Sequence, residues 1–320
     1  MKILKNYNIP HTNCIEHLFS NIILNCSFSD NDLLFINHWN YVYTNDINIS
    51  EILTVYEKDF KSLYKILDEY YGITVRCKLG IQEVESAKKF VADNDYIALC
   101  LYAENCPWIL FATENHAEHM ALIIDCDEKG VIVCDNYTLS AYITYETLIE
   151  ITNEVIVFQK SEDFYIPQNT IRNNILNDLI TKNETDIFSR IIKFGEVFGD
   201  VDRINQTIEK GEFISNSLIR RINSLAISKI HYFNLISKIY KNFCNVFQYE
   251  KQEFELIRSD WLMINKMLLK YKVSQNTKIL ERIVDRIQKI YINEKNLCQK
   301  MIFKISEINN KINIEGINND

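Results

Sequence analysis

HMALIIDCDEKGVIVCD, running from His119 to Asp135, is the stretch on which the fold turns. Two short apolar, β-branched runs, Met120–Ile124 and Val131–Val133, flank the turn-like residues Asp127, Glu128, Lys129 and Gly130, a pattern that predicts a β-hairpin. Folding it about Asp127 pairs Ile124 with Gly130 and Ile123 with Val131, and sets His119 opposite Asp135 at the open end. An imidazole and a carboxylate are therefore expected side by side on adjacent strands. A carboxylate so placed fixes the imidazole tautomer and stabilises the imidazolium.

Such a pair needs a nucleophile, and the best candidate opens a helix near the N-terminus. Asn13 is a good N-cap, Glu16 completes a capping-box pattern, and Ile15, Leu18, Phe19, Ile22 and Ile23 fall on one helical face. Cys14 then lies in the first turn, where the helix dipole and free N–H groups favour a thiolate. A cysteine near an N-terminus is commonly a small buried hydrophobe; the cap position and the His/Asp hairpin single this one out. His11 and His17 flank it. Both are candidate substrate contacts, although surface or capping roles suit them better. Cys106, in a loop beside Pro107 and Trp108, is a second free thiol with no base assigned, and Trp108 is a further candidate substrate contact.

Around these pieces the chain reads as α+β. Tyr96–Tyr102 is a buried strand, Ile73–Cys77 and Glu154–Lys160 are further strands, and His38–Tyr43 alternates like one. Ser29 or Asp30 caps a helix carrying Leu33, Leu34 and Ile36. Further helices are expected at 57–71, ended by Gly72, at Ile81–Asp93 and at Tyr145–Thr152. Helices come first and an antiparallel sheet follows. Beyond Pro167 the periodicity is helical throughout. Stripes such as Ile171, Ile175 and Leu179, or Ile279, Ile283, Ile287, Ile290 and Leu297, predict an all-α helical bundle, with one long helix from Leu218 through Phe247 and a frayed tail. The division expected is residues 1–165 and 166–320.

Composition narrows the function classes. Apolar residues make up 47% of the 320, enough for real cores, and 7 Gly with 3 Pro leave little room for disorder. The nine Cys are scattered with no CxxC, so neither a disulfide framework nor a metal site is expected. No signal peptide and no membrane span is visible, which makes the reducing cytoplasm the expected compartment. Residues 1–165 carry 11 Lys and Arg against 25 Asp and Glu, a net of −14, whereas 166–320 carry a net of +6. That split suggests a basic surface for an acidic partner, or helices that neutralise an acidic neighbour. No dense cationic run with interleaved aromatics argues for nucleic acid.

Tyr96–Asn136, YIALCLYAENCPWILFATENHAEHMALIIDCDEKGVIVCDN, taken with the Cys14 helix, resembles papain-like cysteine enzymes. The likeness is to the bacteriocin leader-peptidase group, and most of all to the N-terminal domain of butirosin-type acyltransferases. Those share a strand, a Pro-aromatic loop (here Pro107-Trp108), a His-aliphatic strand, an acidic turn and a strand ending in Asp. The resemblance covers about the first 165 residues. It implies a papain-like catalytic domain with Cys14 as nucleophile, His119 as base and Asp135 as orienting carboxylate. Asn8 stands six residues before Cys14, where the group has an oxyanion-hole Gln. Ile15 replaces the group's Gly or Ser, and Asn136 replaces the Pro after Asp. These departures argue against an ordinary leader peptidase.

What the resemblance implies is a cysteine acyltransferase of natural-product biosynthesis. It would form an amide by moving an acyl group from a carrier-protein thioester, through acyl-Cys14, to a small amine. The alternative is a cysteine peptidase or amidase. No cofactor is implied beyond the phosphopantetheine of an acyl or peptidyl carrier protein. Carrier proteins are acidic, so docking is expected on the basic half, where Arg220 with Arg221, or Arg282, Arg286 and Lys289, are the densest clusters.

Overall fold

In the computed structural model the described residues are 3–9, 12–44, 51–54, 62–79, 82–109, 118–136, 140–209 and 217–315. His11, residues 57–61 and Ile81 of two expected helices, and the last five residues lie outside them. The chain forms two compact units: Met1–Leu34 with Phe60–Tyr165, and Phe35–Asp59 with Ile166–Asp320. Both divide at 165/166, but Phe35–Asp59 belongs with the C-terminal unit, whereas the sequence division had kept it with the first.

In chain order the described elements of the first half are α1 (Cys14–Asn25), the ribbon strands β1 (Tyr41–Thr44) and β2 (Glu51–Thr54), α2 (Ser62–Tyr71), β3 (Ile73–Leu79), α3 (Val84–Asp93), β4 (Tyr96–Tyr102), β5 (Glu118–Cys126), β6 (Gly130–Cys134), β7 (Ala141–Thr144), α4 (Tyr145–Ile151) and β8 (Thr152–Lys160). Apart from the ribbon, the strands make one antiparallel sheet in the order β3-β8-β4-β5-β6-β7. Only Asp32–Phe35 of the expected second helix is helical, as one 3-10 turn, and the expected strand at 38–43 starts at Tyr41.

Strand alternation sorts the sheet's side chains onto two apolar faces. On one, α1 sets Phe19 edge-on to Phe158 of β8 at 5.7 Å and against Tyr64 of α2 at 5.9 Å. On the other, Ile97, Leu99 and Leu101 of β4 join Ile123, Val131 and Val133 in a buried cluster under α3 and α4. Gly72 ends α2 at φ +59, and a Cβ there would run into the ring of Phe164, so both backbone and packing require glycine.

The hairpin forms, in a register different from the expected one. Cys126 pairs with Val131, Ile123 with Val133 and Leu122 with Cys134, with Ile124 as an extra residue in a β-bulge. The bulge carbonyl accepts a hydrogen bond from the Leu4 N–H at 2.8 Å. Asp127 fixes the turn: its Oδ1 accepts the Lys129 and Gly130 N–H groups at 2.7 and 2.9 Å and the Tyr142 hydroxyl at 3.0 Å. Those two backbone donors hold its carboxyl below the usual range.

The second unit carries α5 (Gln168–Glu184), α6 (Ser189–Glu196), α7 (Val201–Glu209), α8 (Ser217–Ile239), α9 (Gln248–Ser274) and α10 (Lys278–Glu315). The expected helix through Phe247 is broken at Tyr240 and continues as a 3-10 segment. The unit is not all-α, because the antiparallel ribbon β1–β2 belongs to it. At its centre Glu294 of α10 is fully buried. It accepts Trp39 Nε1 at 2.7 Å and Trp261 Nε1 at 3.0 Å, takes a short bond from the Tyr41 hydroxyl, and pairs with Lys229 Nζ at 3.3 Å. Burial pulls the Lys229 ammonium down to about 8 while Glu294 works against it. Among the described residues no helix is long and apolar enough to cross a membrane.

Candidate active site

The site lies within the first unit, where α1 starts and the hairpin opens. Asn13 caps α1: its side chain accepts the Glu16 N–H at 2.9 Å, and Glu16 accepts the Asn13 N–H at 3.0 Å. This reciprocal box places Cys14 at the first helical position, half-buried. The segment before it is tied along the helix by asparagines. Asn21 exchanges two hydrogen bonds with the Tyr7 backbone, at 2.7 and 3.1 Å, and Asn25 two with Lys5, at 2.9 and 2.8 Å.

His119 and Asp135 are both buried, and His119 Nε2 lies 2.6 Å from Asp135 Oδ2. Continuing the observed register sets Asp135 opposite Ala121, so His119 is its diagonal neighbour. Side chains two residues apart along a strand share a face, and a two-residue shift therefore leaves the pair within reach. The same Oδ2 accepts the Trp108 indole N–H at 2.6 Å. With Nε2 turned to Asp135, Nδ1 is the ring nitrogen left over, and Cys14 is the second side chain that acts on the imidazole.

Three influences set the basicity of His119. Burial pulls it down, while the hydrogen bonds to Asp135 and Cys14 and the negative charges on both pull it up; the balance raises it to about 9. The His119 imidazole is therefore protonated at neutral pH.

Of the residues singled out in the sequence, Cys14, His119 and Asp135 meet. Trp108, expected as a substrate contact, has its indole N–H committed to Asp135. Asn8 is exposed and makes no hydrogen bond among the described residues. Cys106 is buried, with Sγ 3.4 Å from the Tyr102 carbonyl, and burial first, then Asp135, Glu104 and Cys14, push its thiol up to about 12. A protonated thiol is a poor nucleophile.

His17 is the residue that sequence reasoning misplaced. It is buried, and its Nε2 finds no hydrogen-bond partner among the described residues. Burial lowers its pKa, with Asp135 acting in the opposite direction. Cys14, His17, Asn21 and Asn25 form a polar stripe at helical spacing beside the apolar one, and that stripe was the available signal. Among the described residues no three His, Cys, Asp or Glu side chains converge as a metal ion would need.

No protein-family model matches the chain, and no curated protein matches it either.

Proposed function

We propose that the protein is a papain-like cysteine acyltransferase that makes an amide bond. The observation that carries this reading is the meeting of Cys14, His119 and Asp135, with the carboxylate on Nε2 of the imidazole and Cys14 acting on the same ring. That is the arrangement in which an imidazole takes a thiol proton and returns it to a leaving group.

In the proposed reaction the Cys14 sulfur attacks the carbonyl carbon of a carrier-bound thioester. The new C–S bond forms, the carrier's C–S bond breaks, and the carrier sulfur leaves with the proton held on His119. The first half exchanges one thioester for another and is close to energy-neutral. A substrate amine then attacks acyl-Cys14. Its surplus proton passes to His119, the amide is released and Cys14 departs as thiolate. The Cys14 N–H at the start of α1 is available to the oxyanion, with Asn8 as the proposed second donor. Asp135 and Trp108 hold the imidazole in orientation throughout.

The departures from the leader-peptidase pattern at Ile15 and Asn136 support transfer over hydrolysis. The test is intact mass after incubation with an acyl thioester. The wild type gains one acyl group that is discharged by amines, and Cys14→Ala stays folded and gains none. An adduct persisting in Cys14→Ala moves the nucleophile elsewhere. Turnover of a peptide with water, and none of a thioester with an amine, replaces the reading with a peptidase.

A further inference from the structure

Helices α9 and α10 form an antiparallel hairpin, turned at Gln275, whose left-handed backbone (φ +52) ends α9. One side of this hairpin is a groove of ≈ 550 Å³. Lys266 and Lys270 line it from α9, four residues apart, and Arg282, Arg286 and Lys289 from α10, spaced by four and three. Each set therefore occupies one helical face. The floor is apolar, made by Met263, Met267 and Ile279. Asp285 is the one acid among the lining residues.

The five cations are not equivalent. Arg286 is bonded to the buried Asp260, and Lys289 lies 3.6 Å from the same carboxylate. Lys266, Lys270 and Arg282 are exposed and make no ion pair among the described residues. Three uncompensated cations around a methionine floor present a surface complementary to a helix with acidic flanks and an apolar ridge. Flexible, polarisable Met side chains adapt to such a ridge, and unscreened cations steer an acidic partner toward it.

We infer that this groove docks an acidic helix of the carrier protein that delivers the acyl group; the inference rests on the acyl-transfer reading above. Lys266, Lys270 and Arg282 are its determinants. Arg286 and Lys289, although part of the densest cluster in the sequence, have Asp260 to neutralise, so their reversal would bring a carboxylate against a buried one and damage the fold.

The test uses the full chain, an acidic holo acyl carrier protein loaded with a short acyl thioester, and the N-acetylcysteamine thioester of the same acid. The triple variant Lys266→Glu, Lys270→Glu, Arg282→Glu keeps its thermal transition. It requires about tenfold more carrier for half-maximal acylation of Cys14, because each exposed pair contributes modestly and three add. Acylation by the small thioester is unchanged. The wild-type carrier requirement rises with salt, and that of the variant does not. Replacing the acidic residues of the carrier helix by Lys restores the variant.

Equal carrier requirements for variant and wild type would overturn the docking site while leaving acyl transfer standing. Equal loss on both donors would also overturn it, because the groove would then support the fold. A wild type acylated by neither donor removes the acyl-transfer reading itself, and the docking inference with it.

Discussion

His119 keeps its proton well above the ordinary histidine range because two negative partners outweigh its burial. A group whose folded pKa lies above its unfolded value stabilises the fold fully below the unfolded value, here about 6.5. That contribution disappears as pH rises through about 9. His17 works in the opposite sense. Its lowered pKa gives a contribution that is present above the usual histidine value and is lost as pH falls. NMR titration should find the His119 ring protons moving near pH 9 in the wild type and at lower pH in Cys14→Ala, which removes one negative partner. In the proposed reaction Asp135→Asn misorients the imidazole and lowers kcat by about 10²–10⁴-fold; acylation rates measured across pH would show an unchanged rate if the carboxylate had no such role.

At the scale of elements, α1 and the hairpin place the three side chains. The capping box sets Cys14 in the first turn, so Asn13→Ala should lower stability by about 1 kcal/mol and slow acylation together. A thermal melt with no shift would show that the cap is not holding the helix start.

This is also where the sequence can be seen to have spoken and to have been silent. The hairpin, its His119–Asp135 pair and the cap of α1 are local patterns and were legible. The register was not, because the bulge at Ile124 inserts a residue that no periodicity marks. The pair survived because the error was two residues, an even number, which returns side chains to the same face. Trp108 Nε1 to Asp135 spans 27 residues of sequence, and nothing local announces it. Glu294 sits within the apolar stripe of α10 between Ile290 and Leu297. A lone acid there reads as an interruption until its partners are known, two of them, Trp39 and Tyr41, 255 and 253 residues away in sequence. The same long-range bonds draw Trp39 and Tyr41 into the helical unit, and so the ribbon escaped a division drawn from periodicity.

For the whole molecule, the buried Glu294–Lys229 pair sets how the helical unit responds to change. Removing one partner leaves an uncompensated buried charge, so Lys229→Met should destabilise by about 3–5 kcal/mol, whereas joint replacement of both by apolar residues should recover much of that. Urea unfolding read on the helical signal distinguishes the two. If the single and double variants unfold alike, the pair is not acting as a unit. The chain has two compact units, so a single two-state transition is not assumed and each unit needs its own probe.

The chain supplies such probes itself. It has three tryptophans, and each donates its indole N–H to a carboxylate: Trp108 to Asp135, Trp39 and Trp261 both to Glu294. Indole fluorescence depends on the charge beside the ring, so the emission divides by unit. One emitter looks at the thiol site, and two look at the core of the helical bundle. In the proposed reaction, acylation of Cys14 alters the surroundings of the His119–Asp135 pair to which the Trp108 indole is bonded. Stopped-flow emission of Trp39→Phe with Trp261→Phe should therefore retain an acylation-dependent change, and Trp108→Phe should lose it, giving an unlabelled optical clock for the proposed first half-reaction.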